Sequence, residues 1–227
     1  MFGIFSSHRK YGHVISLGYN CEVSFQFFLQ YHFVESSLFA WTMTQNCENL
    51  VYALNHIDEV ASQGFERGVP MYKDIATNIF FHTQSYKRDA PPPESEIVAE
   101  LESRIDYLRN KFIKTAADGK KNLYIFKYPP TSGSSENVRR NILNLYSALN
   151  NICKNAFDLL IILDEKTCPD LAFDYDNLFV RRVKFFTPTD RVTSKPYDRR
   201  HFRRIFREFR PAFKLPKNKK FKFEERN

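Results

Sequence analysis

The chain has 227 residues and a mass of 26.9 kDa, which suits one domain with a decoration. Hydrophobic residues make up 43% and charged residues 26%, so long disorder is excluded for most of the chain, and 23 Phe against 7 Gly imply a substantial core. The net charge is +8, but Arg199 to Asn227 alone carries +9 from twelve Lys/Arg and three Glu, so the other 198 residues sum to −1 and only the C-terminal end is cationic.

His13–Gly18 (HVISLG) is a short apolar run closing on glycine, a buried strand. Asn20 is an N-cap candidate for a helix over Cys21 to His32. Ser36–Thr44 is irregular, or a short strand and turn. Asn46 caps a helix through Leu54. Asn78–His82 (NIFFH) is a strand. Ala90–Glu94 is a loop, because consecutive prolines continue neither ladder nor helix. Ser95–Lys114 is a helix capped by Ser95, with Ile97, Leu101, Ile105, Leu108 and Phe112 on one stripe. Asn122–Lys127 is a strand, Pro129–Ser135 a polar loop, and Asn137–Cys153 a second striped helix. Asp158–Asp164 (DLLIILD) is a fully apolar strand, and Leu178–Phe186 a further one. Strand and helix alternate, and fully apolar strands belong to sheets covered on both faces. The expected fold is α/β, a Rossmann-like three-layer sandwich with a mostly parallel sheet over residues 1–196. Residues 197–227 form a basic amphipathic helix and a cationic tail.

No apolar run approaches the ~20 residues of a spanning helix, and the first ten residues contain no apolar stretch suited to a signal peptide. A cytoplasmic protein is expected. Cys21, Cys47, Cys153 and Cys168 form no CxxC pair, so four free thiols are expected, with no metal site and no cofactor.

Ser16-Leu17-Gly18-Tyr19-Asn20-Cys21 is the most chemical segment. A strand leaves through a glycine and a helix begins at a cysteine. A helix N-terminus offers free N–H groups and about +0.5 of a charge, a setting that lowers a thiol pKa. Gly18, Tyr19 and Asn20 would supply an oxyanion or anion cradle. The bland alternative is a buried cysteine packing as a small hydrophobe. A thiolate needs a base. If the strand ending at His82 runs parallel to the one before Cys21, both residues emerge on one rim, which makes His82 the first choice. His201 is the rival, because Asp198 and His201 are neighbours at i and i+3 on one helix face, a DxxH pair resembling that of SGNH-type hydrolases. Asp74, Asp89 and Asp164 are candidates for a third residue. Phe39 and Trp41 are candidate pocket walls, with core packing the competing role.

Val14-Ile15-Ser16-Leu17-Gly18-Tyr19-Asn20-Cys21-Glu22-Val23, Ser37-Leu38-Phe39-Ala40-Trp41 and Phe80-Phe81-His82 together resemble a bacterial family of unknown function labelled papain-like cysteine peptidase (DUF1796). That family carries a SLG-x-x-C block, a Phe-Asp-Trp block and a later F-H segment, and the likeness covers mainly residues 13–83. Ala40 stands where the family usually has Asp. Gly18-Tyr19-Asn20-Cys21 is also similar to the Gly-Asn-Cys motif of the WcbI capsule-biosynthesis family. The resemblance implies a cysteine-dependent hydrolase or acyltransferase working with a Cys–His pair on an acyl, peptide or saccharide substrate, in a cell-surface polysaccharide setting. The competing expectation is a non-catalytic protein that binds an anionic ligand such as a phosphate or nucleotide sugar.

The basic end, residues 197–227, allows three roles. It can contact an anionic membrane surface at the inner face, bind nucleic acid, or be a solvated face. Nucleic acid is the least favoured, because no recognition signature is present.

Overall fold

The computed structural model describes residues 11–31, 36–68, 71–83, 92–129, 134–153, 156–183 and 196–209. Eight strands lie among these residues: β1 (Val14–Ser16), β2 (Thr42–Thr44), β3 (Phe65–Arg67), β4 (Met71–Asp74), β5 (Ile79–His82), β6 (Asn122–Lys127), β7 (Phe157–Asp164) and β8 (Leu178–Val183). Five α-helices accompany them: α1 (Glu22–Tyr31), α2 (Cys47–Asn55), α3 (Glu94–Ala116), α4 (Ser135–Ile152) and α5 (Pro196–Glu208). The chain is an α/β protein.

The main sheet runs β1-β6-β7-β8, and all three pairings are parallel. Its central strands read as unbroken apolar runs because both faces are covered. Side chains alternate across the sheet. Lys127 of β6 meets Glu22 of α1, and Phe179 of β8 packs on Phe209 just past α5, so α1 and α5 lie on one face. Tyr124 packs on Phe112 of α3, and Phe157 on Tyr146 of α4, so α3 and α4 lie on the other. The result is three layers. The strand order progresses in one direction from β1 to β8, so β1 is an edge, and the order does not reverse beside it as it does at a dinucleotide-binding crevice.

The second sheet is antiparallel, in the order β2-β5-β4-β3. Strand β5 therefore belongs to a different sheet from β1. The expectation that the two run parallel on one rim is corrected. Strands β3 and β4 were not expected, because the short stretches Phe65–Arg67 and Met71–Asp74 mix charge with apolar residues.

Local chemistry sets most boundaries. Asn46 caps α2, its Oδ1 accepting from the Asn49 amide at 2.8 Å, and Ser134 caps α4 by accepting from the Asn137 amide at 3.3 Å. Ser95 does not cap α3. The helix starts a residue earlier, after Pro93, whose carbonyl accepts from the Glu96 and Ile97 amides. The proline's fixed φ of −52° already suits a helix start. At the amino-terminal end of the main sheet, the fully buried Asp158 carboxylate takes the Tyr11 hydroxyl at 2.5 Å and the Lys121 ammonium at 2.7 Å. Both groups satisfy a charge that burial would otherwise penalise.

Helix α5 does not hang off the domain. Phe202, Ile205, Phe206 and Phe209 are all buried, and the Phe206 ring meets Phe27 at 5.4 Å. Its apolar face is covered by α1 and β8, so only its basic face is left for a partner. Residues 210–227 lie outside the described residues. Among those described, no helix is long and apolar enough to cross a membrane.

Candidate functional site

The strand–helix junction before α1 is a strained elbow. The Leu17 amide still donates to the Ile125 carbonyl, extending the parallel ladder by one bond. Gly18 then turns to φ +86° and Tyr19 to +69°. A Cβ on Gly18 would sit 2.6 Å from Thr42 Oγ1 and 3.3 Å from the Phe39 carbonyl oxygen. Glycine is required there both for its dihedral and for the close approach. For Tyr19 the left-handed region is a costly state that the surroundings must impose. Two contacts impose it. The Tyr19 carbonyl accepts from the Thr44 amide at 3.1 Å, and the Tyr19 ring lies 5.9 Å from the Lys127 ammonium.

Asn20 stands one residue before the N-cap position, which Cys21 occupies, and its Oδ1 accepts from the Glu22 amide at 3.1 Å in an Asx turn. That bond uses one of the free N–H groups expected to cradle an anion. Cys21 follows, half-buried, with its carbonyl taken by Phe25 N–H in the first helical bond. Burial pushes the Cys21 thiol up to about 11. No neighbouring cation offsets that burial, so the lowered pKa expected from the helix N-terminus is not what these surroundings produce.

Sequence reasoning missed Glu22. In the first turn of α1 it is itself a buried carboxylate at the positive end of the helix, and it pairs with the fully buried Lys127 ammonium. The chain's own anion sits where a ligand or thiolate charge would gain most. The available signal was Lys127, a lysine closing the apolar strand NLYIFK, which calls for a partner if that strand is central.

His82 lies at the end of β5, with its register partner Met71 in β4. In β5, Ile79 and Phe81 are buried while Phe80 and His82 are half-buried, so His82 faces away from the core side of this sheet. On β2 the core side carries Thr42 and Thr44, and Gly18 packs against the Thr42 hydroxyl. The elbow and the imidazole thus flank β2 from different sides. Among the described residues no hydrogen bond joins Cys21 Sγ to His82. The Arg104 guanidinium donates to the His82 carbonyl, and burial together with that nearby positive charge holds the imidazole below its ordinary range. It is therefore neutral at pH 7.

Phe39 is fully buried and packs edge-on against Phe112 at 5.5 Å, so it is core and not a pocket wall. Trp41 is 42% exposed. Ala40 is fully buried, and its carbonyl accepts from Ser24 Oγ at 2.6 Å, which ties the β2 segment to α1. Asp74 is held by the Thr77 hydroxyl and the Ala76 amide, and Asp164 accepts from the Lys166 amide at 2.8 Å, so both stabilise turns. Asp89 lies outside the described residues. His201 and Asp198 fall on α5, a different helix from the one that Cys21 precedes, and the Asp198 side chain lies outside the described part. All four cysteines are free thiols, and among the described residues no cluster of His, Cys, Asp and Glu suits a metal.

Comparison with protein-family models, with curated proteins and with solved structures finds no match to this chain.

Proposed function

We propose that this protein is a cysteine-dependent acyl-transfer enzyme, a hydrolase or acyltransferase, with Cys21 as nucleophile. The elbow carries the reading. Two successive left-handed residues, one of them tyrosine, separate a parallel strand from the helix that begins after Cys21. Backbone strain of this kind persists where function requires a side chain to be presented at a sharp turn.

The resting thiol is protonated, so the reaction needs a base that reaches Sγ in the substrate complex. Catalytic hydrogen bonds commonly tighten only at that stage. His82 is the proposed base. It is neutral at pH 7 and so able to accept a proton. Attack would form a tetrahedral oxyanion and then a thioester, which water or a hydroxyl acceptor would resolve. The amides of the first turn left free by Asn20 would donate to that oxyanion.

A second reading is favoured by one observation. A thiol pushed up to about 11 and lacking a base contact is what a ligand-binding protein without catalysis would carry. Pre-steady-state hydrolysis of p-nitrophenyl acetate separates the two. The enzyme reading expects a burst stoichiometric with protein, lost in Cys21→Ser and slowed by roughly 10²–10⁴ in His82→Ala. A wild type with no burst, indistinguishable from Cys21→Ser, supports the binding reading instead.

A further inference from the structure

A cavity of about 340 Å³ lies between the C-terminal end of α1 and the basic face of α5, lined by Gln30, Tyr31, Arg203 and Arg207. We propose that this groove binds a phosphate group, as a phosphate monoester or diphosphate. It lies at the other end of α1 from Cys21, so its ligand is independent of the acyl-transfer reading.

The helix geometry brings the arginines together. Arg199, Arg203 and Arg207 succeed one another at four-residue spacing, which stacks them on one stripe of α5. They do not share one role. Arg199 is half-buried and donates to the Leu29 carbonyl at 3.2 Å, one of the last carbonyls of α1, which fastens the two helices side by side. Arg203 and Arg207 lie one and two turns on, exposed at the cavity, and make no ion pair among the described residues. The acid in their turn, Glu208, is held by Arg181 through its Nε at 2.8 Å. Among the described residues no carboxylate lines the groove.

Gln30 and Tyr31 form the α1 wall, with Gln30 Nε2 closed off from solvent, so the charged donors that face the opening are the two guanidinium forks. A carboxylate fills a single fork with two oxygens. A phosphate presents three or more oxygens and can take both forks at once. The volume also leaves room for a second phosphate or an attached sugar. The apolar side of α5 is buried against α1 and β8, which fixes the helix that carries the two arginines.

Isothermal titration of the full-length chain with inorganic pyrophosphate at fixed ionic strength tests this. A matched pair of variants controls for the general positive charge of the C-terminal end. Arg203→Ala/Arg207→Ala strips the groove. Arg200→Ala/Arg204→Ala removes the same charge from exposed positions of α5 outside it. All four side chains are exposed, so both variants keep the buried face of α5. The proposal expects wild type and the control variant to bind alike, and the groove variant to weaken by roughly tenfold or more per arginine lost. Flotation with phosphatidylcholine vesicles containing phosphatidic acid or phosphatidylglycerol then identifies the source. Selective capture by phosphatidic acid, lost only in the groove variant, points to a lipid headgroup. Pyrophosphate binding without vesicle capture points to a soluble phosphate ligand. Equal losses in the two double variants, or a wild type that binds neither probe, would overturn the site.

Discussion

Lys127→Met should be among the most damaging single substitutions in this protein. Lys127 is fully buried at the end of the central strand β6, and its ammonium is paired with Glu22, which is 3% exposed. Removing the lysine takes the ion-pair partner of the Glu22 carboxylate out of the core. Breaking a buried pair from one side costs about 3–5 kcal/mol. For a domain of this size that corresponds to a fall in Tm of about 6–20 °C. Glu22→Gln should cost less, because the neutral amide keeps a hydrogen-bond acceptor for the ammonium. The double substitution Glu22→Leu/Lys127→Met should recover much of the loss, since both desolvation penalties vanish together. Urea unfolding of wild type and the three variants, monitored by far-UV circular dichroism, measures each cost, with an unchanged slope confirming that stability alone has moved. A single Lys127→Met costing under about 1 kcal/mol would refute the reasoning, because the ammonium could not then be desolvated.

Other outcomes rest on the same geometry. Gly18→Ala should cost about 1–3 kcal/mol, since it adds a clash with Thr42 Oγ1 to an unfavourable dihedral, whereas Gly119→Ala, at φ +81° with nothing within 4 Å, should incur only the dihedral cost; comparing their urea midpoints checks this. His82 has a folded-state pKa below its unfolded value, so its contribution to stability is present above pH ~6.5 and lost as the pH falls through the unfolded and then the folded pKa. His82→Gln should therefore flatten the fall in Tm as the pH drops below about 6.5. Alkylation of Cys21 by iodoacetamide in the free chain should rise about tenfold per pH unit up to its midpoint near 11, as read by peptide mass spectrometry. Asn46→Ala removes the α2 cap and should cost about 1 kcal/mol in chemical unfolding.

The parts of the fold written in strong periodicity were legible from the residues alone. The Ile97-Leu101-Ile105 stripe, the apolar run DLLIILD and the Asn46 cap each state their element through local physics. Strands β3 and β4 stayed hidden because their stability comes from neighbours in the antiparallel sheet and not from their own composition. The error over β5 has the same origin. NIFFH reads as a strand in either sheet, and only long-range pairing with β2 and β4 decides which. The site was half visible for a related reason. The glycine and the strand-to-helix switch mark the elbow at Gly18–Cys21. The Glu22–Lys127 pair spans 105 residues of sequence, and that pair sets the charge at the helix N-terminus. Sequence spacing carries no trace of such a contact. The basic amphipathic helix at Tyr197–Phe209 was evident from its pattern, but a pattern does not say whether the apolar face meets a membrane or the protein's own core. Here it meets Phe27, Tyr31 and Phe179.

The most direct test of the acyl-transfer assignment is to find the acyl group. The full chain is incubated with p-nitrophenyl acetate at pH ~7, near the range where His82 is neutral, then quenched in acid and peptide-mapped, with hydroxylamine used to cleave thioesters. The assignment predicts one hydroxylamine-sensitive acetyl group, on the peptide containing Cys21, formed far faster than on Cys47, Cys153 or Cys168 and strongly reduced in His82→Ala. Acetylation that is absent, or spread over the four thiols in proportion to their exposure and unaffected by the His82 substitution, would contradict it and leave Cys21 as a buried thiol at a structural turn.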